Sequence, residues 1–363
     1  MPELWLLQRP VNVNSEKLVQ LFMSLPSSDF PKCRIVVDAM GGDFAPHHEV
    51  IGALSAFSEN KLFHLILVGD DEKIKAIAKE NNLSLDGVEL IHSEEIITMN
   101  DSPTSALKTK QKSSLVIGAK LVASGGADAF VSTGNTGAVA AAGTLLIGRL
   151  AGVERPTIGT YIPNMTGITT VFDVGAFVDS KPQHMLGYAQ LANVYVKEMF
   201  GIEKPMVGLL SVGEENEKGN KLTKETFELL KSSKLNFFGN IEGRDILTGK
   251  VNIVICDGFV GNILLKFGES FLKILKPMLK KTADANFFDK VKIAISRNAI
   301  RKSFKVFDPN EYGGIPLLGV KAITIIGHGS STAYGIKNMV LKAKEMYDKK
   351  LIAKLAKEMN KEN

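Results

Sequence analysis

The sequence predicts an α/β fold: three α/β/α layers on a mainly parallel sheet. Strand-like runs alternate with helix-like runs from Arg34 onward, so strand, helix and strand read as βαβ units. Several of the strand runs are almost wholly apolar, as expected where helices cover both faces of a sheet. The segments between them carry apolar residues at helical spacing. With 363 residues, 45% apolar and 23% charged, the chain can bury a sizeable core, and it is neither disordered nor fibrous.

Taken in order, the predicted strands are RIVVDAM (34–40), FHLILVGD (63–70), VELIHS (88–93), ADAFVST (127–133) and TIGTYIP (157–163). ITTVFDVG (168–175), PMVGLLSVG (205–213), LNFFGN (235–240), VNIVICDG (251–258) and AITIIGHG (322–329) follow. Between them, Asp71 to Asn82 and Lys181 to Phe200 show the clearest helical spacing. Residues 1–33 contain Pro2, Pro10, Pro26 and Pro31 and one short helical pattern over 15–25; they read as an N-terminal extension. Residues 34–350 then form a single α/β domain, and 351–363 a basic helix end. No apolar run reaches the roughly 20 residues of a membrane-spanning helix, and no secretory leader is evident. Cys33 and Cys256 have neither a disulfide framework nor metal-ligand spacing. The expected address is the cytoplasm.

In open α/β sheets ligands bind beyond the carboxyl ends of strands, and the polar residues of this chain gather there. Gly41, Gly42 and Asp43 leave the first strand in a tight turn that lets the backbone approach a ligand. Ser132, Gly134, Asn135, Thr136 and Gly137 stand between a strand and a helix rich in small residues. Main-chain N–H groups at such a junction form an anion site, although ordinary helix capping uses the same residues. The junction has neither a Walker ending nor a dinucleotide-binding glycine pattern.

Asp173, Asp179 and Lys181 form a third loop, with Pro182 suited to the first turn of a helix. It reads either as an anion contact or as a surface ion pair. Asn240 with Arg244, and Asp257 with Asn262, occupy two further strand ends. His328, between Gly327 and Gly329 and followed by Ser330, can act as acid, base or oxyanion donor. Lys108, Lys110 and Lys112 form a basic run that either meets phosphate or is simply solvated.

Charge is localised. Lys266 to Lys305 holds eleven Lys and Arg against three Asp and Glu, whereas the whole chain sums to +5, so the remainder is mildly acidic. That disfavours a general nucleic-acid binder and points to one anionic partner surface. The same stretch, 259–305, reads as a protruding helical hairpin with Phe267, Phe271, Leu275, Met278 and Leu279 along one helix and Phe287 and Phe288 at the tip. The stripe suits packing against a second copy; the aromatic tip among lysines suits an anionic lipid surface.

Together and in this order, VDAMGGDFAP, KTKQKSSL, STGNTGA, ERP (154–156), DVGAFVD with KP, GEENEKGN, GNIEGRD, CDGFVGN with LLK, YGGIPLLGV and GHGSS closely resemble the bacterial phosphate acyltransferase family. The match spans Arg34 to about residue 344. It departs from the family at Phe44, Phe177 and Lys112, where His, Asn and Asp or Asn are usual, so those side-chain roles do not transfer. The resemblance implies a homodimer whose fold is similar to phosphotransacetylases and the isocitrate dehydrogenase-like group, associated peripherally with membranes. It implies that orthophosphate attacks a long-chain acyl thioester of acyl carrier protein, giving an acyl phosphate for phospholipid synthesis, with no cofactor and no metal. Within it, Lys181, His328 and Asn262 are the expected catalytic residues. The strand-end groups from Gly41 to Ser330 named above are expected to bind phosphate and substrate.

Three other readings compete: a phosphotransacetylase acting on acyl-CoA, a nicotinamide-dependent dehydrogenase, and a non-catalytic membrane scaffold. The absence of a GxGxxG loop after the first strand disfavours the second, and the crowding of polar strand ends disfavours the third.

Overall fold

Ile35 and Val37 face one hydrophobic core while Val36 faces another, and Leu65 and Leu67 are likewise separated from Ile66 and Val68. Successive side chains on a strand point to opposite faces, so this division means that the sheet is buried on both sides. In the computed structural model, which describes residues 33–360, three layers follow from that pattern. The extension read over 1–33 lies outside the described residues except for Cys33, as does the last part of the 351–363 segment.

The order along the chain begins β1 (Arg34–Asp38), α1 (His47–Glu59), β2 (His64–Gly69), α2 (Asp71–Glu80), β3 (Val88–His92), α3 (Pro103–Thr109), α4 (Ser114–Ala123), β4 (Ala129–Ser132) and α5 (Thr136–Ala142). After a π-helical turn come β5 (Thr157–Asn164), β6 (Gly167–Phe172), α6 (Pro182–Phe200), β7 (Met206–Leu210), α7 (Lys221–Ser232), β8 (Asn236–Ile241), α8 (Gly243–Thr248) and β9 (Ile253–Ile255). The hairpin helices α9 (Gly258–Ala285) and α10 (Phe287–Lys305) precede β10 (Ile315–Leu318), β11 (Ile323–Ile326), α11 (Ala333–Asp348) and α12 (Leu351–Met359). Helices α1, α6, α7, α11 and α12 cover one face through residues such as Val50, Tyr188, Leu230, Met339 and Leu355. Helices α4, α5 and α8 cover the other through Leu115, Val139 and Ile246.

All ten strands predicted from the sequence are present. The eleventh, β10, lies within YGGIPLLGV and was not foreseen. The sheet order is β3-β2-β1-β4-β11-β10-β5-β6-β9-β7-β8. Pairing is parallel from β3 to β11 and from β6 to β8, but antiparallel at β11–β10, β10–β5 and β5–β6. The sheet is therefore mainly parallel, as expected, with a central reversal that the sequence reading missed. Its physical cause is the Met165–Thr166 turn, which closes β5 onto β6 with Asn164 opposite Gly167. A parallel crossover needs about a dozen residues, and none are available there. Gly167 sits at φ 144°, a conformation that favours glycine.

The reversal decides where the functional loops lie. β1, β4 and β11 run one way and β6, β9, β7 and β8 the other, so the two families of strand ends point in opposite directions.

The expected hairpin is present. Asn286 ends α9 and caps α10, its Oδ1 accepting the Asp289 N–H at 2.8 Å. Pro277 is accommodated inside α9. Phe259, Ile263, Phe267, Phe271, Ile274 and Met278 recur every three or four residues along α9 and are all exposed, an uncovered apolar stripe. No helix among the described residues is long and apolar enough to cross a membrane.

Candidate functional site

The first set of strand ends is built around two buried carboxyls. Asp38, closing β1, accepts hydrogen bonds from Ser114 Oγ at 2.6 Å, Ser132 Oγ at 2.7 Å and the Met40 N–H at 3.1 Å. Glu49, in the first turn of α1, accepts from Thr133 Oγ1 at 2.8 Å, while its Oε2 is buried without a partner among the described residues. Burial pushes both carboxyls toward their neutral forms, Glu49 to about 6. Gly41 and Gly42 pass so close over this pair that a Cβ on Gly42 would stand 2.1 Å from Glu49 Oε1.

The Asp43 N–H donates to the Gly329 carbonyl at 2.8 Å and the Gly327 N–H to the Ser132 carbonyl at 2.8 Å. Gly41, Gly42, Asp43, Ser132–Gly137, His328 and Ser330 are thus brought together. Ser330 Oγ meets His328 Nδ1 at 2.8 Å, and the exposed ring's Nε2 has no partner among the described residues. The structure also reassigns one side chain. Asn135 caps α5 through the Ala138 N–H and spends its amide hydrogens on the carbonyls of Thr98, Met99 and Asp101. It thereby secures a neighbouring loop. Two lysines of the basic run are likewise engaged. Lys110 pairs with Asp101 at 2.6 Å, holding that carboxyl down to about 2, and Lys112 pairs with Glu94 at 2.7 Å.

The second set lies where β6, β9, β7 and β8 end. Asp173 is fully buried and accepts N–H groups from Ile158 at 3.0 Å, Ala176 at 3.2 Å and Phe177 at 3.0 Å. It is an internal staple of its loop, not an exposed reactive group. Gly258 and Gly261 let α9 start against that staple: a Cβ on Gly261 would stand 1.8 Å from the Asp173 carbonyl oxygen. Asp257 is likewise a cap, accepting the Val260 N–H at 3.0 Å. Its neighbour Asn262 is exposed and packs beside Gly175.

Arg155 clips the middle of the loop, donating to the Asp179 carbonyl and covering the Phe177 ring at 5.0 Å. Lys181 is exposed, and its side chain has no hydrogen bond or ion pair among the described residues. Its main-chain N–H donates to His184 Nδ1 at 3.1 Å, and His184 Nε2 lies 3.1 Å from Glu154. Further along the same edge, buried Asn240 donates to the Glu215 carbonyl at 2.8 Å, and exposed Arg244 pairs with Glu242 at 3.1 Å.

Lys181 and Asn262 therefore share one set, and His328 with the Ser132–Gly137 turn shares the other. No hydrogen bond or ion pair among the described residues joins the two sets. Glu49, Arg155 and His184 were not singled out beforehand. Arg155 lay in the quoted ERP motif, but nothing local marks Glu49 or His184 as site residues.

The sequence matches a family model described as "Fatty acid synthesis protein" over residues 33–354. It is 45% identical over 332 residues to a phosphate acyltransferase of Chlorobaculum parvum, covering 89% of this chain and 97% of that protein. It is 43% identical to a phosphate acyltransferase of Halothermothrix orenii, covering 91% and 99% respectively. In fold it is similar to the EutD phosphotransacetylase from Staphylococcus aureus, with a TM-score of 0.52 at 16% identity over 92% of this chain and all of the other.

Proposed function

This chain belongs to the fatty acid synthesis protein family, and from that premise we propose that it transfers a long-chain fatty acyl group from acyl carrier protein to orthophosphate. The acyl phosphate formed feeds phospholipid synthesis. The observation that carries this reading is the near-full-length relation to proteins named phosphate acyltransferase. The chain is accordingly an acyltransferase.

Its chemistry can be assigned to named groups. Orthophosphate is anionic and strongly hydrated, so it must be held by donors that leave an oxygen lone pair free to attack. The Lys181 ammonium, unpaired among the described residues, supplies such a donor. Asn262, exposed on the same edge, suits the oxyanion that develops as the thioester carbonyl is attacked; one such donor contributes about 2.7–4 kcal/mol. Holding phosphate and thioester together lowers the barrier further by positioning. The Ser132–Gly137 amides and His328 form a second anion-facing surface, with Gly41, Gly42, Asp43 and Ser330 shaping it. Asp173, Asp179, Asp257, Asn240 and Arg244 order the loops around Lys181 and Asn262.

The working form is a homodimer that covers the α9 stripe, with the hairpin tip peripherally attached to anionic membrane. Acidic acyl carrier protein approaches from the basic side. Comparing turnover on palmitoyl-carrier and palmitoyl-CoA thioesters tests the donor. The carrier thioester is expected to be the better substrate by kcat/KM, and a clear preference for CoA would establish the phosphotransacetylase alternative instead.

A further inference from the structure

We propose that His184 is a proton-sensitive positioning residue, holding the Lys181 turn in its working geometry only while its imidazole is neutral. The inference rests on the reading of Lys181 as a phosphate-binding residue and concerns how that residue is kept in place.

Lys181 is the N-cap of α6 and His184 is the third helical residue. In a capping box that residue reaches back to the main-chain N–H of the cap. Here the reach is made by an imidazole: the Lys181 N–H donates to Nδ1 at 3.1 Å. An acceptor Nδ1 fixes the tautomer, because a neutral ring has one N–H and it must then sit on Nε2. That nitrogen points at Glu154 Oε2, 3.1 Å away. Both ring positions are thus committed, and the ring is 6% exposed.

A second proton has only Nδ1 to occupy. Placed there, it faces the Lys181 N–H donor to donor, and the bond that closes the turn is lost. The charged groups facing the ring are Glu154 and Arg155, from the segment before β5, and Lys181 itself. Burial and the Arg155 charge hold the imidazole below its ordinary range despite Glu154, so the neutral form prevails near neutral pH.

The rest of the loop is fastened independently, by Asp173 to the Ala176 and Phe177 amides and by Arg155 to the Asp179 carbonyl. Protonation of His184 therefore loosens the lysine-bearing end, which keeps only the Met185 N–H on the Lys181 carbonyl at 3.2 Å, while the remainder stays anchored. The effect on Lys181 runs through the backbone, since the imidazole touches its main-chain nitrogen.

The test compares wild type with His184→Gln and His184→Ala between pH 5 and 8, reading kcat/KM for phosphate, counted as its dianion so that the substrate's own titration drops out, and hydrogen-exchange protection of the Lys181 amide. Glutamine at this position keeps the acceptor and removes the titration. In wild type, turnover and protection should fall together by about tenfold per pH unit below the imidazole pKa. His184→Gln should match wild type at pH 7.5 and lose that acid limb, whereas His184→Ala should be low in both readouts throughout. An unchanged acid limb in His184→Gln, or an unprotected Lys181 amide in wild type at pH 7.5, overturns the proposal. If protection follows the imidazole and turnover does not, the cap is real but the role given to Lys181 is wrong. Thermal unfolding of the three proteins at pH 7.5 separates these outcomes from loss of fold.

Discussion

Lys181→Ala should lower acyl phosphate formation by about 10²–10³-fold, the loss typical of removing one positioned electrostatic donor. The fold should survive, because the side chain is exposed and has no partner among the described residues. The capping bond to His184 comes from the main-chain N–H, which alanine retains. The contrast with Asp173 is instructive. That buried carboxyl accepts three main-chain amides, and its removal would leave the buried Ile158 N–H unsatisfied at about 1–3 kcal/mol and free the part-buried Ala176 and Phe177 N–H groups. A turnover measurement paired with a melting curve distinguishes the two cases. If Lys181→Ala keeps most of its turnover with its fold intact, the lysine has no part in the chemistry.

A Phe287→Ser, Phe288→Ser double variant should lose at least about tenfold of its binding to anionic vesicles. The two rings are 75% and 74% exposed at the start of α10, 6.2 Å apart and nearly perpendicular. Fully burying a phenylalanine side chain is worth about 1.5–3 kcal/mol, so even partial insertion of both exceeds the 1.4 kcal/mol of a tenfold change. Lys280, Lys281, Lys290 and Lys292 surround the tip in sequence, and each cation near an anionic surface adds about 1 kcal/mol. The residual binding of the variant should therefore be strongly salt-sensitive. Flotation with phosphatidylserine vesicles at two salt concentrations reads both effects. Undiminished flotation would mean that the tip does not enter the membrane and that the apolar hairpin serves protein contacts alone.

What the sequence revealed follows from the range of each interaction. Strands such as β1 and β2 were visible because burial on both faces makes them continuously apolar. β10 escaped because Ile315–Leu318 is short, carries Pro316, and is flanked by Gly313, Gly314 and Gly319. The central reversal was readable in principle: the few residues between the strands at 157–163 and 168–175 are too few for anything but a hairpin.

The strand-end loops were correctly placed as polar turns, but their internal assignments depended on contacts distant along the chain. Asn135 is committed to carbonyls at 98–101, and Asp173 to the Ile158 amide as well as its own loop. Neither commitment has a local signature. Lys342 shows the same limit. It sits over the Tyr161 ring at 4.1 Å and donates to the Tyr312 carbonyl, and burial pushes its amine down to about 7. In the sequence it is one more lysine in an amphipathic helix.

The reaction itself is tested most directly by incubating the protein with a palmitoyl thioester of acyl carrier protein, with and without orthophosphate. Free carrier thiol and hydroxamate trapped by hydroxylamine are the two readings. With the direct attack of hydroxylamine on the thioester subtracted by a control without protein, transfer to phosphate predicts that both appear in equal amounts and only when phosphate is present. Thiol release without phosphate, or release in its presence with no trappable acyl product, would contradict it.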